Sequence, residues 1–429
     1  MKPRQRLVRG SFVVSPEGIQ QADVLIQGEW ILAVGPDLPY GGAEVIEAHG
    51  LHLFPGGVDA HVHLRDPGAT HKEDFTSGTR AALAGGFTTV LDMPNNPEPT
   101  TTASAFRTKA ELASTRACCD FGLFVGATED NAVEAAGIPE AVGLKLYMGS
   151  STGDLLVADL ETQYCHFATY PRHKPLAVHA EDELAVHLFS QAERRPPICA
   201  ELATARAIAL ARFAQRRLHL CHVSTSAEFE AALLARRQGL RLTFEVAPHH
   251  LFLTADDENQ LGPLAIMNPP LRQQAHQEVL WQGLPQADMV ASDHAPHTLA
   301  EKAAMPPPAG VPGLETTLPL LLEAAAEGRL TLPQVARLVA AGPAAAFALP
   351  HKGRIAPGYH ADLTLVDLSA TTVLGQRLHT KCQWTPFAGK QVRGRIERVF
   401  LRGQDAVMAS RVLAEAGWGR LIKPTERQR

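Results

Sequence analysis

Residues 55–66 read Pro55-Gly-Gly-Val-Asp-Ala-His-Val-His-Leu-Arg-Asp66, with a short apolar run (Leu51, Leu53, Phe54, Val58) leading into His61 and His63. In a β-strand, residues i and i+2 point to the same face, so both imidazoles can aim at one point, as a metal ion requires. Arg65 occupies the next position of that parity, where it can hold an anionic group beside the metal. The chain has 19 histidines, and a His-x-His pair also arises by chance on a surface strand. The metal reading therefore depends on further ligands elsewhere.

Working outward, 51–63 is the first of eight apolar strand candidates, followed by 88–93, 121–125, 142–147, 176–179, 218–223, 243–246 and 289–292. Helical stretches such as 72–83, 200–215, 227–237 and 314–327 lie between them. Eight β/α repeats predict a TIM (β/α)8 barrel. A doubly wound open sheet shares the alternation, but no G-x-G-x-x-G follows the first strand. Short β-like runs at 7–8, 11–14, 23–26 and 30–34 are separated by turns, and the same texture returns at 361–367 and 398–404. Both chain ends are thus expected to build one small β-sandwich domain from residues 1–53 and 349–429, with the barrel (54–348) inserted between them.

The 429 residues are 45% hydrophobic and 20% charged, with a net charge of −5. No basic surplus points to nucleic acid, and no Lys/Arg-rich amphipathic stretch points to a membrane surface. No run approaches the ~18 consecutive apolar residues of a transmembrane helix, and the basic N-terminus lacks the apolar core of a signal peptide. Cys118, Cys119, Cys165, Cys199, Cys221 and Cys382 form no C-x-x-C, which suggests reduced thiols in a cytoplasmic protein.

Further ligand candidates stand at the strand ends. Lys145 lies inside an apolar run, where a lone ammonium is costly unless it snorkels or pairs with a carboxylate. In a metal site its neutral amine can instead add CO₂, and the resulting carbamate can bridge two ions. His179 closes another strand, and Asp293, His294 and His297 follow the last one. By alternation His222 shares a face with Leu218 and Leu220; if that face points inward, His222 is a ligand and His219 is not. Each residue alone has an ordinary structural explanation. Together they close different strands of one barrel, which is how this fold assembles sites.

The order H-x-H, K, H, H, D resembles that of the amidohydrolase superfamily, and within it dihydroorotases of the bacterial and archaeal type. The resemblance rests on 55–68, His71-Lys-Glu-Asp-Phe-Thr-Ser-Gly-Thr-Arg-Ala-Ala82 and Gly85-Gly-Phe-Thr-Thr-Val-Leu-Asp-Met-Pro-Asn-Asn96. It continues through Glu245-Val-Ala-Pro-His-His-Leu251, Asn268-Pro-Pro-Leu-Arg272, Ser292-Asp-His-Ala-Pro-His297, Gly310-Val-Pro-Gly-Leu-Glu-Thr316 and Trp384-Thr-Pro-Phe-Ala-Gly389.

The resemblance implies a binuclear centre of two divalent ions, with zinc favoured by the N/O donor set. His61, His63 and Asp293 would hold one ion, His179 and His222 the other, and a carboxylated Lys145 would bridge them. A bridged hydroxide would open the ring amide of dihydroorotate, with Asp293 shuttling the proton; run backwards, the same groups close N-carbamoyl-L-aspartate in pyrimidine synthesis. Arg65 would bind the substrate carboxylate, with Asn95, Asn268 and His297 completing the pocket and the Pro312-Gly313 backbone touching the ring.

Structural alternatives remain for Asn95, as a turn cap, and for Asn268, as a loop residue before Pro269. His249 and His250 are expected to support or pack rather than ligate. Asp154 is an alternative to Lys145, because some bacterial dihydroorotases use an aspartate from this region. The Pro/Gly-rich loop 305–313 is either a connector or part of the site; segment 299–313 has little apolar content to anchor it and is expected to close over substrate. A homo-oligomer (dimer or tetramer) and an association with a carbamoyltransferase are further expectations. Competing functions are allantoinase or hydantoinase, an inactive homologue that scaffolds a carbamoyltransferase, and a purely structural barrel.

Overall fold

The computed structural model describes residues 4–39, 41–190 and 193–425. Five strands open the chain: β1 (Gln5–Ser15), β2 (Gly18–Gln27), β3 (Trp30–Gly35), β4 (Glu44–Glu47) and β5 (His52–Pro55). The barrel follows with β6 (Gly57–Val62), β7 (Phe87–Asp92), β8 (Asp120–Leu123), β9 (Val125–Gly126), β10 (Leu144–Tyr147), β11 (Leu176–His179), β12 (Leu218–Leu220), β13 (Leu242–Val246) and β14 (Met289–Val290). The chain ends with β15 (Leu363–Val373), β16 (Gln391–Leu401), β17 (Gln404–Met408) and β18 (Arg411–Val412).

The barrel strands are all parallel. They form a three-stranded sheet, β6-β7-β8, and a six-stranded sheet running from β9 to β14. β8 and β9 are two halves of one strand broken at Phe124: the first half pairs with β7 and the second with β10. The ring closes where Val62 bridges His294. This is the eight-stranded barrel expected from the repeats. Its strands are buried along almost their whole length, which explains why they read as unbroken apolar runs. Several of the helices on the outside start at side-chain caps, with full capping boxes at Asp74/Ser77 and Thr225/Glu228.

Both chain ends join in one nine-stranded sheet ordered β18-β17-β16-β15-β5-β1-β2-β3, with β4 on β1. It encloses its own core of Val8, Val24, Ile26, Leu53, Leu363, Leu365 and Phe400. β5 pairs with both β1 and β15, so the chain enters the barrel directly from the middle of this sheet. The C-terminal segment then returns to the barrel floor, where Phe121 pairs with Leu421. A buried ionic cluster stands at this junction: the Lys352 ammonium lies 2.6 Å from Asp120 and also holds Asp362, while Arg402 pairs with Asp120. Among the described residues, no helix is long and apolar enough to cross a membrane.

Candidate active site

Side chains from five barrel strands converge at the C-terminal mouth. Asp293 Oδ1 lies 3.4 Å from His61 Nε2 and 3.2 Å from His63 Nε2. His179 Nδ1 and His222 Nε2 face each other at 3.0 Å. The nearest ligand atoms of His61, His222 and Asp293 all fall within 4.8 Å of one another, which joins the two groups into one cluster.

The outward ring nitrogens of His61, His63 and His179 are already occupied. His61 Nδ1–H donates to Glu245, His63 Nδ1–H to Asn95 Oδ1 at 2.6 Å, and His179 Nε2–H to Glu181 Oε2 at 3.0 Å. An oxygen acceptor behind a histidine fixes its tautomer and leaves the forward nitrogen as a lone pair. Burial pushes all four histidines below their ordinary pKa, His63 and His222 well below, so they are neutral. Neutral imidazole lone pairs facing a carboxylate in a buried cavity repel one another unless a cation sits among them. The donor set and its aim therefore fit divalent metal.

Lys145 is fully buried on β10, and its Nζ contacts Cys221 Sγ at 2.9 Å. Among the described residues no carboxylate pairs with it, so the ordinary rescue of a buried lysine is missing. Asp154 does not substitute: it is exposed, in a shallow recess with Thr128, Glu129 and Asp130.

His222 reaches the cluster by a different route from the one alternation suggested. Leu218 and Leu220 sit in register with Leu176 and Val178, and all four belong to the cluster packed under the helices. Their face points outward, whereas Ala177 and Cys221 belong to a different apolar cluster, with Met93, Phe124 and Phe347. The strand stops at Leu220, and His222, at φ 35°, turns back into the mouth. Asp293 (φ 45°) and Arg65 (φ 60°) are also left-handed. Such backbone costs a non-glycine residue about 1 kcal/mol or more, and it clusters where function over-determines the geometry.

Beside the cluster, a narrow recess is lined by His63, Arg65, Asn95, Asn268, Asp293 and Gly310. Arg65 is buried; its Nε donates to the Pro296 carbonyl at 3.2 Å, and Nη2 lies 3.3 Å from His297 Nε2. Burial pulls its pKa below the ordinary value, and among the described residues no carboxylate forms an ion pair with it. Asn95 joins His63 to the Thr152 carbonyl, and Asn268 stands 3.5 Å from Arg194 Nη1. Pro312 and Gly313 are not brought to this recess: the Gly313 N–H donates to His294 Nδ1, and its carbonyl accepts from Thr316 and Thr317. His249 and His250 are buried against each other outside the cluster. The 299–313 segment is anchored: Lys302 Nζ donates to the carbonyls of Ile266, Pro308 and Gly310, and Val311 is buried beside Met267 and Trp384.

Two supporting acids were not singled out from sequence. Glu245 holds His61, His219 and the His222 backbone. Burial alone would raise its pKa, but His61 and His219 outweigh that and hold it well below the usual carboxylate range. Glu181 is likewise lifted by burial but drawn down to about 2 by His179 and Arg195. A charged residue inside an apolar strand was the available signal for Glu245, the same one that marked Lys145.

Residues 52–405 match the amidohydrolase family. The chain belongs to that family. This amidohydrolase-family chain is 40% identical to a dihydroorotase of Halobacterium salinarum, over 86% of this chain and 89% of that protein. An allantoinase of Deinococcus radiodurans is 36% identical over 97% of this chain and 98% of its own length. The multifunctional protein CAD of Squalus acanthias is 39% identical, but the matched region spans only 16% of that protein's length. Among solved structures, the L-hydantoinase (dihydropyrimidinase) of Arthrobacter aurescens superposes with a TM-score of 0.93 at 29% identity, covering 99% of this chain and 100% of that one.

Proposed function

We propose that the protein is a dihydroorotase, interconverting (S)-dihydroorotate and N-carbamoyl-L-aspartate in pyrimidine synthesis. The observation that carries this reading is Arg65: a buried guanidinium without a carboxylate partner among the described residues, beside the His61-His63-Asp293 cluster. A buried cation of this kind calls for an anion from outside, and a planar fork suits a carboxylate.

His61, His63 and Asp293 would hold one divalent ion, His179 and His222 a second, with Lys145 as a carbamate between them and zinc the ion of choice. When bound, such a pair supplies hydroxide near neutral pH and polarises a carbonyl. The protein's own groups do the rest. Arg65 and Asn95 grip the substrate carboxylate and orient the ring amide toward the cluster, with Asn268 on the facing wall. His297, held between Arg65 and Lys72, presents a neutral ring at the same edge. Asp293 Oδ1 takes the proton of the attacking water and returns it to the leaving amide nitrogen.

Allantoinase is the second reading, favoured by the nearly full-length match to the Deinococcus protein. Allantoin has no carboxylate to meet Arg65. The test is to follow ring opening of dihydroorotate, allantoin and hydantoin by the zinc-loaded protein. Turnover of allantoin without dihydroorotate overturns the proposal. In the same assay Arg65→Met should lower kcat/KM for dihydroorotate by roughly 10- to 150-fold, the worth of about 1.5–3 kcal/mol of charge-assisted bonding. Its kcat/KM for hydantoin should be nearly unchanged.

A further inference from the structure

Lys109 lies on the outer helix Ala103–Arg116, yet its side chain is 1% exposed. Its Nζ reaches under the loop after β7 and makes three contacts: Asp92 Oδ2 at 2.6 Å, Asn96 Oδ1 at 2.6 Å and the Met93 carbonyl at 2.9 Å. The other Asp92 oxygen accepts from the Leu64 N–H at 2.7 Å. Leu64 sits between His63 and the left-handed Arg65, while Met93 and Asn96 flank Asn95. One buried ion pair thus ties down both segments that present the two carboxylate-recognising side chains. Neither Asp92 nor Lys109 is among the residues that line the recess.

We infer that Asp92 and Lys109 are positioning residues that set the enzyme's selectivity for an acidic ring over its neutral counterpart, by holding the Arg65 turn and the Asn95 loop at a fixed separation. This rests on the dihydroorotase reading. A buried ion pair adds little to stability compared with apolar packing of the same volume, so its contribution here is geometric. Three oxygen acceptors converging on one ammonium fix the Met93–Asn96 loop more tightly than an apolar side chain could. Two of the metal-facing histidines, His61 and His179, are held separately, by Glu245 and Glu181, whereas His63 leans on Asn95.

The test compares the zinc-loaded wild type with Lys109→Met, measuring kcat and KM for dihydroorotate and for dihydrouracil, the same ring without the carboxylate. Bound metal is measured alongside. A displacement on the order of 1 Å at the carboxylate grip should raise KM for dihydroorotate by about 10- to 100-fold. The dihydroorotate-to-dihydrouracil ratio of kcat/KM should fall by the same factor when both rates are referred to the metal actually bound. A role confined to stability would lower both substrates' rates together and leave the ratio intact. Because Lys109→Met leaves Asp92 buried without its partner, the neutral pair Asp92→Asn/Lys109→Met is assayed too; it should fold and show the same loss of selectivity. Wild-type selectivity in either folded variant overturns the inference alone. A wild type that opens dihydrouracil in preference to dihydroorotate overturns the dihydroorotase reading and this inference with it.

Discussion

Lys145→Ala is expected to abolish ring opening while leaving the fold intact. Lys145 projects from the middle of β10 into the cluster, with the Cys221 thiol as its one hydrogen-bond partner among the described residues. As a carbamate it would give the centre its one anionic bridge; without it, four imidazoles and Asp293 must hold two dications. Metal content should therefore drop from two ions per chain. Losing Lewis-acid stabilisation of several kcal/mol corresponds to a fall in kcat/KM of roughly 10³-fold or more. Stability should move little or even rise in the metal-free protein, since the substitution removes a buried ammonium that has no carboxylate partner among the described residues. Short carboxylic acids that fit the vacated space should restore part of the activity. The measurements are metal stoichiometry, kcat/KM with and without added propionate, and the thermal midpoint. Full activity in the alanine variant would sink the bridging role.

The same residue shows what a single sequence reveals. A charge inside an apolar strand is visible by composition alone, because a parallel strand buried on both faces has no ordinary place for it. Eight such runs with helices between them made the barrel legible, and the strand ends made His61, His63, His179 and Asp293 legible. For His222 the parity argument points the wrong way, although its ring does lie beside His61 and Asp293. Nothing in 218–223 announces that the strand stops at Leu220 and that the backbone then turns left-handed. Partnerships were hidden for a different reason: Glu245 acts on His61 across 184 positions, and Asp92 and Lys109 meet only because a helix folds back over the barrel rim. Periodicity reports which face a residue is on, not what it meets there. The same limit applies to segment 299–313, which is tied down by a lysine donating to three carbonyls and by Val311 buried beside Met267 and Trp384.

The largest expected loss of stability comes from the opposite end of the barrel. Asp120, at the start of β8, is fully buried and accepts from Lys352, from Arg402 and from the Arg420 backbone. Lys352 also holds Asp362, so two carboxylates and two cations join the barrel floor to β15, to the β16–β17 turn and to the returning C-terminal segment. Asp120→Asn leaves this cluster with an uncompensated positive charge, at a cost of about 3–5 kcal/mol. Adding Lys352→Met should recover part of that loss, because charge balance returns. Burial alone would raise the Asp120 pKa, but Lys352 and Arg402 prevail and hold it below the ordinary value. For Lys352 burial works downward, and Asp120 and Asp362 raise it. A depressed carboxylate stabilises the fold above its unfolded pKa of about 3.9, and that contribution is lost as pH falls through the lower folded value. A raised lysine stabilises below its unfolded pKa of about 10.4, and that contribution is lost as pH rises through the higher folded value. The wild type's advantage over the double variant should therefore be flat between about pH 4 and 10 and shrink on both sides. Denaturant unfolding of the three proteins across that range measures it. A pH-independent gap would show that the cluster contributes packing rather than charge.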